Sequence, residues 1–76
     1  MANKIIVDPN IHFGKPCIAG TRITVESVLE LLSEGVTSQE ILASYYPDLQ
    51  EEDIRACVRY AYEVISSEEI HLSDPS

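Results

Sequence analysis

The stretch His12-Phe13-Gly14-Lys15-Pro16-Cys17-Ile18-Ala19-Gly20-Thr21-Arg22 limits the fold more than any other part of this chain. Gly14 and Gly20 accept positive φ without steric cost, while Pro16 fixes its own φ and pushes Lys15 toward an extended conformation. Ile18 and Ile23 flank a turn at Ala19-Gly20. That pattern predicts a small hairpin whose inward side chains rest on the helices that follow. Lys15 and Arg22, two of only five basic residues, ride on this tightly turning backbone. They are candidate contacts for an anion or a partner's carboxylate.

A chain of 76 residues is expected to form one domain. A domain of this size buries only about 60% of its unfolded surface, so pairing with a second copy would help it. Its 45% apolar content is enough for a core and too much for a disordered tail. Thirteen acids against five bases give a net charge of −8. Nonspecific nucleic-acid binding is disfavoured by that balance, because phosphate contacts need local positive charge. A basic protein partner fits it better. Cys17 and Cys57 lack a CxxC or a His-rich neighbourhood, so neither a zinc site nor a disulfide framework is expected. Cys57 falls on the apolar side of a predicted helix and reads as a small buried hydrophobe. Neither a leader-type apolar region nor a bilayer-length apolar run is visible, and a cytoplasmic location without membrane contact is the expectation.

In chain order, Lys4-Ile5-Ile6-Val7 is a β-branched run closed by the turn signal Asp8-Pro9-Asn10, which predicts a short edge strand. It must pair with the Cys17 to Ile23 hairpin or with the same strand of a second copy. From Thr24 the period becomes helical: Val25, Val28, Leu29, Leu31 and Leu32 form a stripe, Thr24 caps it, and Gly35 ends it. Thr37 and Glu40 form a capping box, with Val36 stapled on Ile41, opening a second helix that Pro47 ends near Tyr46. Glu51, Glu52 and Asp53 fill the first turn of a third helix, whose stripe is Ile54, Cys57, Val58, Ala61, Val64 and Ile65. The single domain is expected to span residues 1–66, and residues 67–76 to form a polar tail.

Three helices with a short second one resemble a helix-turn-helix, whose last helix would read a major groove. Arg55 and Arg59 would be its base and phosphate contacts. Glu51, Glu52, Asp53 and Glu63 surround them, however, and surface pairing of each arginine with these acids competes with DNA contact. Tyr45, Tyr46, Tyr60 and Tyr62 cannot all enter one core; Tyr45 is expected inside, with Tyr46 and Tyr62 as interface candidates. A His12–Cys17 pairing is the one conceivable catalytic arrangement. Three short helices rarely supply the water-excluding cleft that catalysis needs, so no enzyme activity, catalytic residue, metal or cofactor is expected.

Asp8-Pro9, Gly14-Lys15-Pro16-Cys17-Ile18-Ala19-Gly20-Thr21-Arg22-Ile23, Gly35, Ile41-Leu42, Tyr46-Pro47 and Glu52-Asp53-Ile54-Arg55-Ala56 together resemble the domain-of-unknown-function family number 433 over about residues 5 to 62. The resemblance implies a mainly α protein: a three-helix, homeodomain-like helix-turn-helix core with a short N-terminal β-strand and hairpin, often dimeric. Family members are similar to VapB-type antitoxins encoded beside a PIN-like ribonuclease toxin. This implies an antitoxin in a type II toxin–antitoxin pair, its acidic surface covering a basic RNA-binding cleft and its side chains blocking the nuclease's metal site. Gln50 stands where the family usually has a Thr or Ser cap for the third helix, so the cap is expected from Asp48, Gln50 itself or water. The expected partner contacts are Lys15, Arg22, Tyr46 and Tyr62. The alternative is a DNA-binding transcriptional regulator, autoregulatory in type, that uses Arg55 and Arg59 with Lys15 and Arg22.

Overall fold

The computed structural model describes the backbone of residues 4–72 and the side chains of residues 4–67. Strand β1, Ile5–Ile6, pairs antiparallel with β2, Cys17–Ile18, setting Ile5 opposite Ile18 and Ile6 opposite Cys17. Beyond the pair, the Ala19 amide donates to the Lys4 carbonyl at 2.7 Å. The expected strand is therefore present, shorter than its β-branched run, and it pairs within its own chain.

The predicted hairpin lies on the other side of β2. Ile18 N–H donates to the Ile23 carbonyl at 2.9 Å, and Val25 N–H donates to that of Pro16 at 2.9 Å. At the turn Gly20 takes φ +81°, and Thr21 closes it by donating both its amide and its hydroxyl to the Ile18 carbonyl. The Thr21 hydroxyl oxygen in turn accepts from Ile23 N–H at 3.0 Å. Backbone on both sides thus satisfies β2, and its two residues are almost fully buried.

Helix α1, Val25–Ser33, starts where Thr24 accepts from the Ser27 amide at 3.1 Å. It stops in a left-handed cap at Gly35, φ +94°, whose amide donates to Leu32 while that of Val36 donates to Leu31. These two bonds satisfy carbonyls that the end of the helix leaves open. Val25 and Val28 are the buried residues of α1; Leu29, Leu31 and Leu32 only flank the core.

The Thr37–Glu40 capping box is present, with Glu40 N–H donating to Thr37 Oγ1 at 3.1 Å and Thr37 N–H to Glu40 Oε1 at 3.3 Å. Helix α2, Ser38–Glu40, then widens into a π turn over Ile41–Tyr45, closed by Tyr46 N–H donating to the Ile41 carbonyl at 2.7 Å. In such a turn residue i+5, not i+4, stands over residue i. Tyr46 is consequently half-buried against the core, and Tyr45 is 50% exposed, the reverse of the expected assignment.

Helix α3, Glu51–Leu72, is the longest element. Its first turn is tied by Asp53, whose carboxylate accepts from the Gln50 amide at 2.8 Å while its amide donates to the Gln50 carbonyl at 2.9 Å. Ile54 and Cys57 enter the core, while Val58, Val64 and Ile65 of the expected stripe are 46%, 40% and 62% exposed. The body of the domain covers only the N-terminal half of α3. The helix also continues past the boundary expected at Ser66, because neither Gly nor Pro interrupts the sequence before Pro75. Residues 73–76 of the expected tail lie outside the described residues.

The core is built from Ile18, Val25, Val28, Ile41, Leu49, Ile54 and Cys57, drawn from the hairpin, all three helical segments and the connection before α3. The described residues are mainly helical, with three helices and one two-stranded antiparallel sheet. Among the described residues no helix is long and apolar enough to cross a membrane.

Candidate functional site

The connection from β1 to β2 is the most unusual part of the backbone. Asp8 starts it, accepting from the Asn10 amide on its side chain at 2.8 Å and from the Ile11 amide on its carbonyl at 2.8 Å. The chain then makes a left-handed 3-10 turn over His12–Gly14, in which His12, Phe13 and Gly14 have φ of +49°, +57° and +84°. Glycine adopts that region freely; His12 and Phe13 do so at a cost of about 1 kcal/mol or more each. Two i to i+3 bonds hold the turn, Gly14 N–H to Ile11 and Lys15 N–H to His12.

This strained turn delivers the Phe13 ring to solvent, 98% exposed. Phe13 borders a shallow cleft whose walls are Ile6, Asn10, Ile11, His12, Gly20, Thr21 and Arg22. The pairing of β1 with β2 is what brings the residue-6 to residue-13 segment against the hairpin turn. A phenylalanine and an arginine therefore border one concavity. Among the described residues no carboxylate lines it, in a chain whose net charge is −8.

The expected contact residues divide among different places. Arg22 is in the cleft. Lys15 is exposed and bonded to Glu26 of α1 at 3.2 Å. Tyr46 is half-buried, packed against the core. Tyr62 is 61% exposed on α3, where it lines a groove with Arg55, Val58 and Arg59. The Arg59 guanidinium lies 5.7 Å from the Tyr62 ring centre and bonds Glu63 at 3.0 Å. Arg55 makes no ion pair among the described residues. Phe13 and Val58 are exposed beside these residues and are not among the expected contacts; a large apolar residue set among Asn10, Gly14 and Pro16, outside any periodic stripe, is the sequence signal that marks Phe13.

The remaining chemistry is sparse. The Cys17 thiol is buried and donates to the Lys15 carbonyl at 3.3 Å, while His12 is exposed. Burial, helped by the Asp53 carboxylate, pushes the Cys57 thiol from 9.0 up to about 11, so it stays protonated at neutral pH. Among the described residues no group of three His, Cys, Asp or Glu side chains is placed to hold a metal ion.

Comparison with known proteins agrees with this architecture. Among solved structures, the crystal structure of a DUF433 member protein from Anabaena variabilis ATCC 29413 superposes with a TM-score of 0.76 at 28% identity, covering 95% of this chain and 70% of that one. No curated protein matches the sequence. Residues 5–61, which hold the strained turn, the hairpin and most of the core, match the family described as "Protein of unknown function (DUF433)". The chain therefore belongs to the DUF433 family.

Proposed function

We propose that this chain is an antitoxin-like protein-binding module that neutralises a PIN-like ribonuclease in a type II toxin–antitoxin pair in the cytoplasm. The observation that carries the reading is Phe13, almost wholly in water on a backbone strained at two successive residues. Neither the strain nor the exposed ring gains anything within the monomer. Buried in a partner's pocket, an aromatic ring with a neighbouring arginine is the usual composition of an interface hot spot. Arg22 gives the cleft a cationic edge suited to the carboxylates of a metal-dependent nuclease site, and the acidic remainder suits that nuclease's basic RNA-binding surface.

Coexpression with the nuclease encoded by the neighbouring gene tests this. The wild-type chain should copurify with the nuclease and abolish its toxicity. Phe13→Ala and Arg22→Ala should each lose protection while keeping a native circular dichroism spectrum. Unchanged protection by both variants, or no complex with the wild-type chain, overturns the proposal.

The competing reading is a homeodomain-like DNA-binding regulator that uses Arg55, Arg59, Lys15 and Arg22. Exposed Arg55 is the observation in its favour. Arg59 and Lys15, however, are already engaged by Glu63 and Glu26. Tight, salt-sensitive retention of the gene's own upstream DNA by the isolated protein would decide for it.

A further inference from the structure

We propose that the outward face of α3 is a docking groove for an acidic amphipathic helix of another protein. The groove shares no residue with the Phe13 cleft, so the proposal stands apart from the nuclease reading. Arg55, Val58, Arg59 and Tyr62 line it, at helix positions i, i+3, i+4 and i+7, which keeps all four on one side of α3. Val58 and Tyr62 are exposed, and Ile65, one turn further on, prolongs the apolar line into solvent. The backbone of α3 closes its hydrogen bonds within the helix, so an occupant has no strand edge to extend. A second helix fits, by setting its own side chains between these rows.

Charge selects the occupant. Acids outnumber bases thirteen to five in the whole chain, yet Arg55 and Arg59, two of the five bases, stand in this one groove. They are four residues apart, a spacing at which like charges repel along a helix. The acids that precede Arg55 do not relieve it. Glu51 accepts from the Ser38 hydroxyl at 3.1 Å, while Glu52 and Asp53 pair with Lys4 at 3.7 and 3.3 Å. Among the described residues Arg55 makes no ion pair. Arg59 bonds Glu63 through Nε, over the Tyr62 ring, and among the described residues its terminal nitrogens have no hydrogen-bond partner. A carboxylate accepts from an open guanidinium end of this kind with good geometry. An apolar seam edged by one unpaired guanidinium and the open end of another is complementary to a helix with aliphatic side chains on one face and carboxylates beside them. Duplex DNA fits worse, because its phosphates would meet Glu51, Glu52 and Glu63 of the same helix.

Fluorescence anisotropy of two synthetic helical peptides, titrated with the full chain, tests this. Both carry leucine along one face and alanine on the opposite face; one has glutamate on the flanks and the other lysine. The acidic peptide should bind in the micromolar range and at least about tenfold tighter than the lysine peptide, although a net charge of −8 favours the opposite order. Arg55→Gln combined with Arg59→Gln should weaken the acidic peptide at least about tenfold, and Tyr62→Ala by about the same factor, with helical content unchanged because all three residues are exposed. Failure of the acidic peptide to bind, a lysine peptide that binds as tightly, or an affinity that these variants leave unchanged overturns the proposal. So does duplex DNA that the wild-type chain retains and Arg55→Gln/Arg59→Gln releases. Sedimentation of the chain alone addresses the remaining occupant: a dimer that Tyr62→Ala dissociates puts a second copy in the groove and overturns the proposal as well.

Discussion

Replacing Phe13 with glycine should stabilise this protein while destroying its proposed activity. In a typical core, deleting a phenylalanine ring costs about 3 to 5 kcal/mol, because buried area and packing are lost together. Here the ring is 98% exposed, so that loss is close to zero. What the substitution changes is the backbone. Phe13 sits at φ +57°, ψ +33°, where a residue with a Cβ is less stable than glycine by about 1 to 2 kcal/mol. Glycine gives back about 0.5 to 1 kcal/mol through the greater freedom of the unfolded chain. The remainder is a gain of about 0.5 to 1 kcal/mol. For a domain of this length, that raises the midpoint of thermal unfolding by about 2 to 8 °C. Urea titration and thermal melts followed by far-ultraviolet circular dichroism measure both quantities. The same variant in the coexpression assay should fail to protect against the nuclease. A Phe13→Gly protein that melts several degrees lower would show that the ring supports the monomer, and the case for Phe13 as a partner anchor would go with it.

Ile41→Ala removes a fully buried side chain at the junction of α2 and the π turn, and should cost about 2 to 5 kcal/mol of stability in urea unfolding. Thr37→Ala removes one half of the capping box and should cost about 1 kcal/mol by the same measurement. Cys57 is held protonated up to about 11, above its unfolded value of 9.0, so the folded state binds the extra proton between them. Its contribution to stability is present in full below pH 9 and lost as pH rises toward 11; stability measured across that range should fall with pH, and less steeply in Cys57→Ala. Iodoacetamide should alkylate Cys57 in the folded protein far more slowly than in the urea-unfolded chain at the same pH.

Local chemistry made much of the fold readable in advance. Thr24 and Thr37 have hydroxyls that bond amides three residues on, Gly35 accepts the left-handed cap, and Pro16 with Gly20 defines the hairpin; each of these acts within a few residues of itself. The distribution of exposure had no such local signal. Whether Tyr45 or Tyr46 turns inward depended on a π turn that repacks the chain against the core, and periodicity in the sequence assumes an α-helix throughout. Val58, Val64 and Ile65 carry the same helical pattern as Ile54 and Cys57, yet the body of the domain ends before it reaches them. The sequence by itself determined where α1 and α2 start and where α1 stops, because caps and turns are short-range bonds. Only the tertiary structure decided which apolar residues remain uncovered, Phe13 and the outer line of α3 among them, since that follows from the finite reach of a small core.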